Sequence, residues 1–379
     1  MLVVDRLGVQ AASVAHEAEE QGNLSPETVR LLREAGFARH FVPREFGGLE
    51  GTFGELAGAV AAVGASCPAT AWCASLIANL GRMIAFLPDE GQREIWQHGP
   101  DPLVVGSLAS FGEAVADPDG DGWVVSGRWP YISGVDHADW ALLCATLPDG
   151  EPERVFAVPA AALKVERSWD SIGMRATGSH DVSVQDLRVP ARLTFSRDDV
   201  LAGRPARSTA ACHTVPLEAA NLVFFALPIL GTAQGALALW TEYARGKAAN
   251  WNPAAPSAAA LATTYARAEG EIDAARMLLE RCAEVCDRGA AVTPEETSRN
   301  MRDAALAVEL LTEAVQRLVR KGGTANFGGR RPLQRFWRDA NGAASHVALQ
   351  FELSALGYAE GRLWEPGKAP GSSPVGGDW

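Results

Sequence analysis

GRWPYISGVDHADW, residues Gly127–Trp140, reads as two strands joined by a break. Trp123–Trp129 has the β-type pattern, and a second strand begins at Asp139. Pro130 removes a backbone donor from any ladder it enters, so the ladder is expected to stop there. The interruption leaves free peptide groups beside Tyr131 and Ser133. An aromatic ring and a hydroxyl in such a place can hold a flat, polar-edged ring. The alternative is an ordinary β-turn with two tryptophans packed in a core.

Working outward, LVVGSL, GWVVSGRW, DWALLCAT, RVFAVP, LKVERSW and VSVQDLRVP are short β-type runs divided by turn clusters such as DPDGDG and LPDGEPE. They predict a compact β-barrel or sandwich over residues 102–205. No helices alternate with them, and no GxGxxG or GxxxxGK[ST] stands at a strand–helix junction, so a doubly wound nucleotide-binding sheet is not expected.

Residues 1–101 read as helices. Ser25-Pro26-Glu27 marks a helix start that Gly36 ends, and Thr52-x-x-Glu55 is a capping box. Pro68–Phe86 is apolar nearly all round and reads as a buried helix interrupted by Asn79 and Arg82. Those two are satisfied core polar groups or, in the second reading, line a substrate pocket. Residues 206–365 become helical again, with helices expected at 216–246, 257–288, 294–321 and 333–361. Thr293-Pro294-Glu295-Glu296 is a start and Gly322-Gly323 a stop. Four such helices predict a four-helix bundle. Residues 366–379, rich in Pro, Gly and Ser, read as a flexible tail.

The 379 residues are long for one core. Apolar residues are 47% and charged residues 21%, as in ordinary globular proteins. The formal charge of −12 without a basic run argues against a nucleic-acid partner. Cys67, Cys73, Cys144, Cys212, Cys282 and Cys286 lack zinc-site spacing, so no metal is expected, and Cys282 and Cys286 read as packing residues. Neither a signal peptide nor a continuous apolar run of about 18 residues is read, so no membrane partner and a cytoplasmic location are expected. Alanine-rich helices at 257–288 and 294–321 have more apolar surface than one bundle needs, which predicts a homotetramer or dimer.

The order helices, small β domain, bundle resembles the acyl-CoA dehydrogenase superfamily. The landmarks are FVPREFGG at 41–48, the YISG segment, GMRATGSHDV at 173–182, LRVP at 187–190 and LQRFWRDA at 333–340. Within it, SGVDHADW, ATGSHDV and a histidine in the last helix resemble the two-component, class D flavin monooxygenases. That group includes the oxygenase components of 4-hydroxyphenylacetate hydroxylase, dibenzothiophene monooxygenase and indole oxygenases. Where the dehydrogenases have one common location of their catalytic glutamate, this chain has Ser345-His346, and the next acid is Glu352.

The resemblance implies reduced FAD, with FMN possible, supplied by a separate NAD(P)H-dependent flavin reductase. It implies oxygen as co-substrate, a C4a-hydroperoxyflavin, and hydroxylation of a small aromatic or indole-like molecule. His346 would be the catalytic imidazole, because a histidine titrates near neutrality and can take or give a proton. Ser133 would sit by flavin N5 and O4 as a donor, and Ser107 would be a second hydroxyl. Tyr131, Trp169, Thr177 and Ser179 would contact the isoalloxazine or its ribityl chain. Arg335 and Asp339, four apart, read as a helix-stabilising ion pair, and His137 and His180 as turn-fixing residues. The competing readings are an acyl-CoA dehydrogenase or oxidase, an amino-sugar N-oxygenase, and a silent scaffold.

Overall fold

Helix termini appear where the capping residues put them. The computed structural model describes residues 2–248, 256–328, 331–360 and 362–364. Helices α1 (Asp5–Ser13), α2 (Ala15–Gln21), α3 (Pro26–Ala35), α4 (Phe53–Gly64), α5 (Pro68–Met83) and α6 (Asp89–Ile95) come first. Ser25 Oγ accepts from Thr28 N, and Gly36 ends α3 at φ +94°, a left-handed value that only glycine adopts freely. Thr52 and Glu55 close the capping box of α4.

Among the described residues seven strands follow, β1 (Val104–Ala116), β2 (Gly122–Ile132), β3 (Trp140–Thr146), β4 (Arg154–Pro159), β5 (Lys164–Glu166), β6 (His180–Pro190) and β7 (Thr194–Ser196). The expected barrel takes the form of one mixed sheet in the order β5-β6-β2-β1-β3-β4-β7. Strand β1 lies between β2 (antiparallel) and β3 (parallel). Ser133–Asp139 therefore carries the chain from one side of β1 to the other, which is why the stretch reads strand, break, strand. The ladder slips between Trp129 and Ile132, where Pro130 stands and Tyr131 takes φ +62°. Trp129 is a core residue, donating from Nε1 to Cys144 O at 2.7 Å. Gly112 makes room for it, since a Cβ there would come within 2.2 Å of its ring.

Short α7 (Arg197–Leu201) and α8 (Ala211–Thr214) lead to the bundle of α9 (Leu217–Ala248), α10 (Pro256–Cys286), α11 (Pro294–Lys321), α12 (Pro332–Ala344) and α13 (Phe351–Ala359). Three long helices match expectation; the fourth, expected over 333–361, does not. It breaks after Ala344 into a 3₁₀ turn, Val347–Leu349, capped by His346. The Gly-Ala-Ala-Ser run has no bulky side chain to hold the register, and the His346 ring accepts from Ala348 N instead. The tail expected at 366–379 lies outside the described residues.

Among the described residues, two large hydrophobic cores result, beside a small cluster of Ala11, Ala15 and Cys67. The larger joins the N-terminal helices and the bundle, including Leu56, Val60, Ala71, Phe224, Leu227, Ala275, Leu311 and Ala340. Glycines let α4 and α9 touch, because a Cβ on Gly231 would meet Ala61 O at 2.3 Å. The second core lies on the sheet. Helix α5 belongs to both, with Ala71, Trp72 and Ala74 in the first and Leu80 and Met83 in the second. Pro68–Phe86 and Leu217–Lys247 are long and apolar enough to cross a membrane by length and composition, yet their most apolar stretches are mostly buried within the protein.

Candidate active site

The seam between the two cores gathers the polar residues that the sequence singles out. Its scaffold is the loop from Arg167 to Ser179, pinned to α12. Gly173 lets the loop touch that helix: a Cβ would lie 2.0 Å from Arg338 O. Asp339, on α12 and buried, accepts from Met174 N at 2.6 Å, and Arg338 donates to Ile172 O at 2.6 Å. Met174 and Gly178 take φ +56° and +53°, which turns the chain back toward β6. Gly134 N donates to Thr177 O at 2.8 Å, fixing the break after β2 to this loop.

This geometry replaces the expected Arg335–Asp339 ion pair. Asp339 is taken up by the loop backbone, while Arg338 pairs with Glu19 and the Arg335 guanidinium lies 5.8 Å from the centre of the Phe336 ring. Burial raises the Asp339 carboxyl to about 6, against a smaller opposing effect of the Met174 N–H.

A line of hydroxyls runs through the seam. Trp72 Nε1 donates to Ser133 Oγ at 3.1 Å, Ser133 and Ser179 hydroxyls are 2.8 Å apart, and those of Ser179 and Thr177 2.6 Å. Thr177 Oγ1 then donates to Met174 O at 2.8 Å. Ser133 is half-buried, whereas Ser179 and Thr177 are 4% and 1% exposed. Thr177 and Ser179 therefore stand behind Ser133.

Across the same indole sits His346. Its ring centre is 6.0 Å from that of Trp72 and 4.2 Å from that of Phe225, on which it stacks at 26°. Phe225 comes from the apolar segment of α9. His346 Nδ1 accepts from Ala348 N at 3.2 Å, so the neutral ring holds its proton on Nε2. Nε2 has no hydrogen-bond partner among the described residues. Burial pushes this imidazole down to about 4, so it is not the group poised near neutrality that the sequence suggests. Helix α12 ends before His346, and Leu356 on α13 is 46% exposed.

The remaining candidates separate. Tyr131 is 69% exposed and meets Trp169 edge-on at 6.1 Å. Trp169 Nε1 donates to Met174 O at 3.0 Å. Ser107 Oγ accepts from Ala109 N at a bulge of β1 and has no contact with the hydroxyl line among the described residues. Arg82 donates to Cys212 O and Asn79 Oδ1 and lies buried near the Phe53 and Phe224 rings, with its Nε unpartnered among the described residues. His137 and His180 fix turns, through Leu24 O and Trp169 N. Trp72 and Phe225 escape the sequence reading because they sit in uniformly apolar helices. The one signal is that a buried tryptophan needs an acceptor for its N–H.

The ends of the chain match models of the acyl-CoA dehydrogenase N-terminal domain, over residues 7–98, and C-terminal domain, over 223–351. The oxygenase subunit HsaA of a flavin-dependent monooxygenase from Rhodococcus jostii is 29% identical, covering 93% of this chain and 95% of its own. An FADH(2)-dependent resorcinol hydroxylase oxygenase component from Rhizobium is also 29% identical, covering 90% and 88%. XiaF from Streptomyces sp., in complex with FADH2 and glycerol, is 29% identical with a TM-score of 0.88, covering 97% of this chain and 95% of its own. A seam of hydroxyls and one imidazole, on a fold shared along nearly the whole chain, thus belongs to the acyl-CoA dehydrogenase superfamily, on the branch of the oxygenase components of two-component flavin-dependent monooxygenases.

Proposed function

We propose that this chain is an oxygenase component that uses reduced FAD and oxygen to hydroxylate a small aromatic or indole-like substrate. A separate NAD(P)H-dependent reductase supplies the flavin. The observation that carries the reading is Trp72: its Nε1 holds Ser133 while its ring faces His346. One indole thus contacts both a hydroxyl and an imidazole. The residues fit a flavin, because Ser133 is a half-buried hydroxyl at a strand end, with the Tyr131–Trp169 ring pair nearby. The bound flavin would supply the activation of oxygen. Ser133 would orient its polar edge, and Trp72 and Phe225 would exclude water. Neutral His346 would hold the substrate oxygen or nitrogen by donating a hydrogen bond from its Nε2–H.

Against the acyl-CoA dehydrogenase reading, Glu352, the next acid after Ser345-His346 and Asp339, is exposed on α13. We also propose a homotetramer or dimer in the cytoplasm, supported by the exposed Met277 on α10 and Leu356 on α13. Light scattering at micromolar concentration tests it, and a monomeric mass counts against it.

The function is tested with reduced FAD from an independent reductase, oxygen and a panel of phenols and indoles. Hydroxylated product formed with consumption of reduced flavin is expected. A bound oxidised flavin that bleaches with an acyl-CoA under argon would overturn the reading.

A further inference from the structure

We infer that Thr177 and Ser179 are positioning residues that make Ser133 a hydrogen-bond acceptor, so that the site prefers the reduced flavin, whose N5 carries a proton, over the oxidised flavin, whose N5 does not. The inference rests on the flavin reading above and concerns which redox form the chain's own residues select.

Each hydroxyl has one proton to donate. The direction of the line is fixed at its buried end, because Met174 O can only accept. Thr177 Oγ1 gives its proton to that carbonyl at 2.8 Å. At 2.6 Å from Ser179, Thr177 must then accept, so the Ser179 proton points to Thr177. At 2.8 Å from Ser133, Ser179 must accept in turn, so the Ser133 proton points to Ser179. The other end is fixed too, because indole Nε1 only donates, and it donates to Ser133 at 3.1 Å. Ser133 therefore keeps one lone pair and no free proton. It can accept from N5–H of a reduced flavin and has nothing to offer the bare N5 of an oxidised one. This inverts the donor role expected from the sequence.

Burial makes the polarity matter. Thr177 and Ser179 lie where water cannot supply substitute partners, so turning one hydroxyl leaves a neighbour unpaired. Met174 O is anchored independently, accepting also from Thr177 N at 3.1 Å and Trp169 Nε1 at 3.0 Å. The line thus ends on a carbonyl held by the loop.

The test compares dissociation constants for reduced FAD, measured anaerobically, and oxidised FAD on the full chain, together with the potential of the bound flavin. Thr177→Val and Ser179→Ala each free the Ser133 proton. Each is expected to reduce the preference for reduced FAD about fivefold, the contribution of one neutral hydrogen bond. That ratio lowers the two-electron potential by about 20 mV. Thr177→Ser, which restores the hydroxyl, should retain the wild-type preference. If Thr177→Val does not fold, Ser179→Ala decides alone. An unchanged preference in Ser179→Ala overturns the inference and leaves the flavin reading standing. A Thr177→Ser variant that loses as much as Thr177→Val also overturns it, pointing to shape rather than the hydroxyl. A wild-type chain that binds no reduced FAD overturns both.

Discussion

The two walls of the seam solve opposite problems. On the sheet wall Ser133, Ser179 and Thr177 are tied to one another, to Trp72 and to a backbone carbonyl. On the bundle wall the His346 ring accepts one hydrogen bond from a backbone N–H and has two aromatic neighbours, and its Nε2 has no partner among the described residues. The first wall is wired before any ligand arrives, and the second leaves one proton available. Under the proposed function, the sheet side would orient the cofactor and the bundle side would act on the substrate.

The sharpest way to break this division is His346→Ala. We expect reduced-flavin binding to remain while product formation falls about 10²–10⁴-fold, with hydrogen peroxide rising in its place. Product and peroxide yields from one reaction decide it, and full coupling in the variant refutes the assignment. Gly173→Ala attacks the joint between the walls instead. Its Cβ would meet backbone atoms of α12, so a loss of about 1–3 kcal/mol is expected in urea titration. An unaltered midpoint would mean that the loop and α12 are not in register.

Ser133→Ala tests the sheet wall directly. Losing one partly buried hydrogen bond of about 1 kcal/mol predicts reduced-FAD affinity about fivefold weaker and faster peroxide release, with overall stability little changed. Unchanged affinity would remove Ser133 from the cofactor edge.

The smallest effect is a pH effect with opposite signs on the two sides. His346 is depressed from 6.5 to about 4, so the unfolded chain binds the proton first and stability is lost as pH falls through that window. Asp339 is raised from 3.8 to about 6, so the folded chain binds the proton first and stability falls as pH rises toward 6. Asp339→Asn should therefore raise Tm at pH 7 more than at pH 4, and the reverse pattern would deny the buried carboxyl its cost.

The sequence made the layout readable wherever a local rule decided it. Capping boxes at Thr52 and Thr293, the stop at Gly36 and the break at Pro130 all act within a few residues, and each stands where expected. The site was legible only through motif order. Ser133, Thr177 and Ser179 meet, but 44 residues separate Ser133 from Thr177, and nothing local tells that two hydroxyls stand behind the third. Trp72 and Phe225 were hidden because an all-apolar helix has no face to mark. The break before His346 depends on a side chain competing with the helix for a backbone N–H, an outcome decided by tertiary packing.

Helix α5 has a consequence for how the chain acquires its structure. Its first turns need partners from α9, and its last turns need partners from the sheet. Residues 1–101 alone thus leave much of their apolar surface uncovered while the rest of the chain is still being made. The contacts that close the helical core span the inserted strands, a long loop to close before its contacts return any stability. During synthesis the early helices keep apolar surface exposed, and the site at the seam forms only when the last third of the chain arrives.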